Sequence, residues 1–310
     1  MENVLIFGGT GFIGSNLAEA FINSSYNVIV FDKEKNNYKD SQLIWEKIKF
    51  IQGDAKDFAE VEKIFETNNI DIVIHLIDTN IARTSHETFI KNLEMNLVFN
   101  LKLVDIIVKH NIKKFVYFSS GGSVYGNNGS VFNNEKDDVN PIIYSGWVKI
   151  SIEKYIQTSH FISGLNYLIV RPSNPYGKYQ NYMRKQGVIT AIFNNIMSNK
   201  NVEIWGDGSI VRDYIYIDDL CDAIIKLIKK DKWNEIYNIG SGVGTSINGI
   251  LDLIRNVTKE KINVVYLPSE KVDIPVNIFD ISKIKSRTDW EIRTLLKEGL
   301  EKYWEWFKNK

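Results

Sequence analysis

Lys149 lies in "PIIYSGWVKISIEKY", residues 141–155, with Ser145 four residues before it and Tyr144 five. A hydroxyl one helical turn before a lysine ammonium forms a proton-transfer pair suited to the oxidation of an alcohol. An alcohol oxygen must give up its proton as hydride leaves the carbon. The best acceptor has a pKa near the working pH. A phenol titrates near about 10 and falls beside an ammonium group, whereas a serine alcohol is a far weaker base unless something activates it. On an ideal helix Ser145 points roughly 40° and Tyr144 roughly 140° away from Lys149. The spacing therefore puts the weaker hydroxyl on the lysine's face. Three readings stay open. Tyr144 reaches the site through an irregular first turn. Ser145 or a water passes the proton to another group. Or the chain binds its ligands without turning them over.

A second constellation is "GGTGFIG", residues 8–14. Gly9, Gly11 and Gly14 fit G-x-G-x-x-G, and Gly8 extends the run. Glycines allow a tight turn and close backbone approach to a pyrophosphate. The helix that starts at Phe12 and Ile13 offers free N–H groups and a positive dipole end. The motif follows an apolar run and precedes a helical one, the context of a dinucleotide site. Asp32 ends the next apolar run, where a carboxylate accepts from a ribose 2′-OH and repels a 2′-phosphate, so NAD is expected over NADP. Lys33 beside it leaves some room for NADP. Asp54 meets the adenine or caps a helix.

Apolar runs at 3–9, 27–32, 47–54, 71–76, 113–120, 165–173 and 235–242 read as strands. Several are apolar on both faces, as in a parallel sheet covered on both sides. Helical patterns at 13–24, 59–68, 96–111 and 145–159 alternate with them. This is a doubly wound α/β sheet, a Rossmann fold. Residues 1–175 form the dinucleotide-binding domain, to which 209–260 return. Residues 176–208 and 261–310 form a smaller mixed α/β substrate lobe.

The 310 residues are 44% hydrophobic and 25% charged with zero formal net charge, which gives no support to nucleic-acid binding. No apolar stretch approaches the length of a membrane span, and no leader is expected, so the cytoplasm is the expected compartment. The one cysteine, Cys221, reads as a small buried helix residue. No metal site is expected.

Taken together, "GGTGFIG", "FIQGD", "VIHL", "FVYFSSGGSVYG", "RPSNPYG", "IWGDGSIVRDYIYIDD" and "YNIGSG" resemble the extended short-chain dehydrogenase/reductase family, in its group of nucleotide-sugar epimerases and dehydratases. The resemblance covers nearly the whole chain. It implies NAD on the large domain, a nucleoside-diphosphate sugar under the lobe, and oxidation of the sugar C4 hydroxyl. It implies that Lys149 holds the nicotinamide ribose, and that Ala55, Leu76, Asn96 and Ser119 lie against the cofactor. It gives the sugar diphosphate to Asn174 and Arg212, with Val188 beside the substrate and Trp205 and Gly206 near the nucleobase. Without the resemblance, Arg212 reads equally well as a surface partner of Asp213 or Asp218.

Four departures from that pattern matter. Ser145 stands where the family has its tyrosine base. Gly121 stands where it has a hydroxyl residue, although Ser123 survives two positions on. Gly122 and Ser123 replace the Asp-Glu pair of dehydratases, which argues against 4,6-dehydration. Glu270 and Lys271 stand where relatives often carry a diphosphate arginine. The expected function is an NAD-dependent nucleotide-sugar 4-epimerase. A 4-dehydrogenase that releases the 4-keto sugar is the enzymatic alternative, and a silent nucleotide-sugar binder is the other. Leu97, Leu101, Val104 and Val108 share a helix face, and the family pairs this helix across a twofold contact, so a homodimer or larger assembly is expected.

Overall fold

The computed structural model describes residues 1–36, 42–78, 86–127, 129–180, 187–269 and 274–310. Seven parallel strands make the large sheet: β1 Asn3–Phe7, β2 Asn27–Asp32, β3 Ile48–Gln52, β4 Ile72–His75, β5 Lys114–Phe118, β6 Asn166–Pro172 and β7 Glu235–Ile239. They are the seven runs expected from the sequence, trimmed at their ends. Their order is β7-β6-β5-β4-β1-β2-β3. The order reverses between β1 and β4, which opens a crevice at the carboxyl ends of these two strands.

Alternation along each strand explains why both faces are covered. In β1, Val4 and Ile6 feed one apolar cluster with Leu17 and Phe21 of the helix Phe12–Asn23. Leu5 and Phe7 feed the opposite cluster with Phe99 and Leu103 of the helix Phe99–Lys109. A strand buried on both sides cannot carry a polar face, hence "NVLIF".

A π-helical turn, Glu94–Val98, leads into Phe99–Lys109, a feature the regular spacing did not forecast. The lysine helix runs Tyr144–Ser163 and stops at Gly164, whose φ of 74° is the left-handed conformation that closes helices.

Within 209–260, Ile217–Lys229 and Glu235–Ile239 join the large sheet and its core. Val211–Tyr216 instead anchors a second sheet. It pairs with Asn174–Tyr176, Gly244–Ser246 and Val276–Phe279, and the last pairs with Phe132–Asn133. A two-stranded sheet joins Val202–Trp205 to Val264–Leu267. The helix Leu296–Lys308 packs on the helix Val188–Met197 through Phe193, Tyr303 and Phe307. Cys221 is buried on its helix, and burial holds its thiol well above the usual range.

Candidate active site

The crevice between β1 and β4 is lined first by the glycine loop. Gly8 has a φ of 78°, and a Cβ there would press on the backbone of Leu76 and Ile77, just past β4. A Cβ on Gly9 would lie 2.7 Å from Val30, and one on Gly14 would collide with Gly8 and Gly9. The loop is thus drawn tight against the helix Phe12–Asn23. Gly11 is that helix's N-cap and no side chain caps it. The first N–H groups, those of Phe12 and Ile13 among them, are left for an anion, and the cradle fits a pyrophosphate. Asp32 ends β2 and is steadied by Thr10, whose backbone N–H and hydroxyl donate to its Oδ2 at 3.1 and 2.6 Å. The residues present therefore fit NAD.

Lys33 pairs with Asp54 at 3.1 Å, and backbone and lysine contacts hold the Asp54 carboxyl below its usual range. Asp54 does not cap the following helix. Asp57 does, accepting from the N–H groups of Ala59 and Glu60. Ala55 is buried beside it. Leu76 continues the β4–β1 ladder, its N–H donating to the Phe7 carbonyl at 3.0 Å. Asn96 is buried in the π-turn, and its carbonyl accepts from Asn100. Asn100 also contacts His75 Nε2 at 2.6 Å, and burial pushes the His75 imidazole down to about 4. Ser119 is buried and donates to Glu153, which forms an ion pair with Arg171 at 2.6 Å. That pair braces β6 against the lysine helix.

Lys149 is buried at the centre. Its Nζ donates to the Phe118 carbonyl at 3.0 Å and lies 5.2 Å from the centre of the Tyr117 ring. It also forms an ion pair with Asp78 at 2.9 Å. Asp78 was not singled out from the sequence. Its signal was its place, three positions past the end of a central parallel strand, where ligands meet such sheets.

The lysine helix is regular from its first residue. Ile143 is an extended N-cap, and its carbonyl accepts from Gly146 and Trp147. The irregular turn that would carry Tyr144 to the lysine's face is absent. The Tyr144 ring stacks on Phe89 at 4.4 Å and 11° instead, with Trp147 on the other edge of Phe89 at 6.1 Å. Ser145 is half-buried. Gly146 lets this helix approach the Ser123 carbonyl with no room for a side chain. The Ser123 hydroxyl is directed at the Ser120 carbonyl, 3.5 Å away. The volume beside Gly121 is filled by the Phe279 ring, so no hydroxyl side chain fits there.

Beyond β6 lies a cavity of about 300 Å³ that gathers Asn174, Val188, Trp205 and Arg212 from four separate segments. Tyr214, Gln180 and Glu203 also line it and were not singled out from the sequence. Alternation in "VRDYIY" is the signal for Tyr214, which shares a strand face with Arg212. Asn174 donates to the Asp213 carbonyl at 2.8 Å. Arg212 donates to the carbonyls of Val211 and Ile274 at 2.9 and 2.7 Å. The Asp213 carboxylate is used elsewhere, accepting from Ser241 and Gly242. Val188 opens its helix with no side-chain cap, so a positive helix end faces the cavity. Gly206 follows Trp205 with a φ of 80°. Glu270 and Lys271 lie outside the described residues. No helix among the described residues is long and apolar enough to cross a membrane.

A model of the NAD dependent epimerase/dehydratase family matches residues 4–240. The chain is 31% identical over 307 residues to a putative UDP-glucose 4-epimerase of Methanocaldococcus jannaschii, covering 99% of this chain and 98% of that one. It is 28% identical to a dTDP-4-dehydro-6-deoxyglucose reductase of Escherichia coli, covering 97% of this chain and 96% of that one. Its fold matches the UDP-glucose 4-epimerase of Thermotoga maritima, solved with UDP-glucose. The TM-score is 0.91 at 32% identity, over 99% of each chain.

Proposed function

The chain belongs to the NAD-dependent epimerase/dehydratase family, and from that premise we propose that it is an NAD-dependent nucleoside-diphosphate-sugar 4-epimerase. One observation carries the reading. The glycine cradle and the buried Lys149 share the carboxyl edge of the sheet with the cavity that holds Asn174 and Arg212. The cradle and Asp32 bind NAD, which supplies oxidation and re-reduction at the sugar C4. Lys149 orients the nicotinamide ribose. Asn174, Arg212 and the helix start at Val188 hold the diphosphate, and Trp205 lies against the base. The UDP-sugar epimerases among the similar proteins support a uridine nucleotide.

A one-way version is the second reading, an enzyme that interconverts a sugar and its 4-keto form and then releases it. The similarity to the E. coli reductase and Ser145 at the tyrosine's position both favour it. The test is to incubate the NAD-loaded protein with UDP-sugars and follow the absorbance of reduced nicotinamide together with the C4 configuration by NMR. Inversion at C4 supports the epimerase. A persistent reduced cofactor with free 4-keto sugar supports the one-way enzyme. No change in either leaves a silent binder.

We also propose that the protein is a homodimer or larger. Leu97, Leu101 and Val108 are only half-buried, and Trp147 and Phe161 are exposed on the lysine helix.

A further inference from the structure

We propose that Asp78 is the general base of this chain, taking the place of the tyrosine that its relatives' pattern supplies from the lysine helix. The proposal rests on the C4-oxidation reading above. The lysine helix presents no phenol to Lys149. Its first turn is regular, Tyr144 lies on Phe89, and the position one turn before Lys149 is a serine. The second hydroxyl of the pattern is also gone, because Phe279 occupies the space beside Gly121. The group that does meet Lys149 is a carboxylate, with Asp78 Oδ2 2.9 Å from Nζ.

The place of Asp78 suits the task. It follows β4 directly beyond Leu76 and Ile77, whose backbone touches Gly8 of the cofactor cradle. It therefore stands between the cradle and the lysine. The Lys149 side chain is 8% exposed and that of Asp78 is 39% exposed, so the carboxylate is the more exposed member of the pair. A carboxylate is a far stronger base than a neutral serine alcohol.

The step balances as follows. The sugar O4–H bond breaks and its proton goes to Asp78. The C4–H bond breaks, and its electron pair and hydrogen would go to NAD, the two-electron oxidant that the glycine cradle and Asp32 would hold. The C4–O bond becomes a carbonyl. Reduction runs the same steps in reverse, with Asp78 returning the proton.

Asp78→Asn keeps the shape and removes the basicity. In the NAD-loaded protein, single-turnover cofactor reduction should fall about 10²–10⁴-fold, the usual worth of a general base. UDP-sugar affinity should change by less than roughly threefold, and Asp78→Glu should recover part of the rate. A second readout needs no turnover. In the NAD-free protein, Asp78→Asn and Lys149→Met should each lower the urea unfolding midpoint, and the double variant should lose less than the sum of the two, because the ion pair is lost only once. If the wild type reduces its cofactor and Asp78→Asn does so at the same rate, the assignment is overturned while the function stands. Losses that simply add in the double variant overturn the ion pair. A wild type that reduces no cofactor with any nucleotide sugar overturns the functional reading instead, and the double-variant comparison still decides the pair.

Discussion

The ring of Phe279 occupies the volume that a side chain on Gly121 would fill. Phe279 is 1% exposed, and Asn277 on the same strand donates to the Gly121 carbonyl at 3.2 Å. The glycine is therefore part of a packed contact between the helix after β5 and the second sheet. Restoring a hydroxyl there by Gly121→Ser should overpack this contact and cost about 1–3 kcal/mol in urea unfolding. Gly121→Ser combined with Phe279→Ala should recover part of that loss, relative to Phe279→Ala alone. A single variant as stable as the wild type would show that Phe279 yields freely.

The role proposed for Asp32 is to set the cofactor preference. Its carboxylate is fixed by Thr10 at the end of β2, and a 2′-phosphate would meet a negative charge there. Fluorescence titration should show tighter binding of NADH than NADPH, and Asp32→Ala should weaken NADH binding and narrow the difference. Equal affinities in the wild type would refute the assignment.

Arg212 is the proposed phosphate contact on the second sheet. Its guanidinium is steadied by the carbonyls of Val211 and Ile274 at the cavity wall. Arg212→Ala should lose about 1.5–3 kcal/mol of affinity for UDP as well as for UDP-sugars, the range for a hydrogen bond to a charged group. Calorimetry that finds UDP binding unaltered would remove Arg212 from the diphosphate site.

His75 makes stability depend on pH. Burial lowers its folded pKa from 6.5 to about 4, so the unfolded chain takes up a proton first as pH falls. The contribution is fully present above about 6.5 and is lost as pH falls toward about 4. The limiting slope is ~1.4 kcal/mol per pH unit for one proton. His75→Gln should flatten this part of the stability curve. Identical slopes for the two proteins would mean that His75 takes up its proton equally readily in the folded and unfolded chain.

Assembly is checked by mass. Light scattering at micromolar concentration should give at least twice the chain's 35.8 kDa. Substituting Trp147 and Phe161 together by Ser should shift the protein toward monomer. A monomeric wild type would rule out the proposed assembly.

Much of the large domain was legible in the sequence because its signals are local. Each of the seven strands is a short run of Val, Ile and aromatic residues between turn residues, and β1 to β7 fall within those runs. The glycine loop was legible for the same reason, since "GGTGFIG" joins a strand to a helix without an intervening segment. The spacing of Ser145 and Tyr144 from Lys149 left open whether the first turn is irregular, and only the structure shows the helix starting at Tyr144 after an extended Ile143. Tertiary structure decided the rest. The partner of Lys149 is Asp78, which comes from another crossover and meets the lysine only because β4 and β5 are neighbours in the sheet. Phe279 reaches Gly121 through the second sheet, whose strands come from distant segments. Asn174, Val188, Trp205 and Arg212 share a cavity for the same reason. Periodicity tells which face of an element is apolar. It does not tell which other element that face or end will meet, because that depends on how long-range strand pairing and helix packing close the chain upon itself.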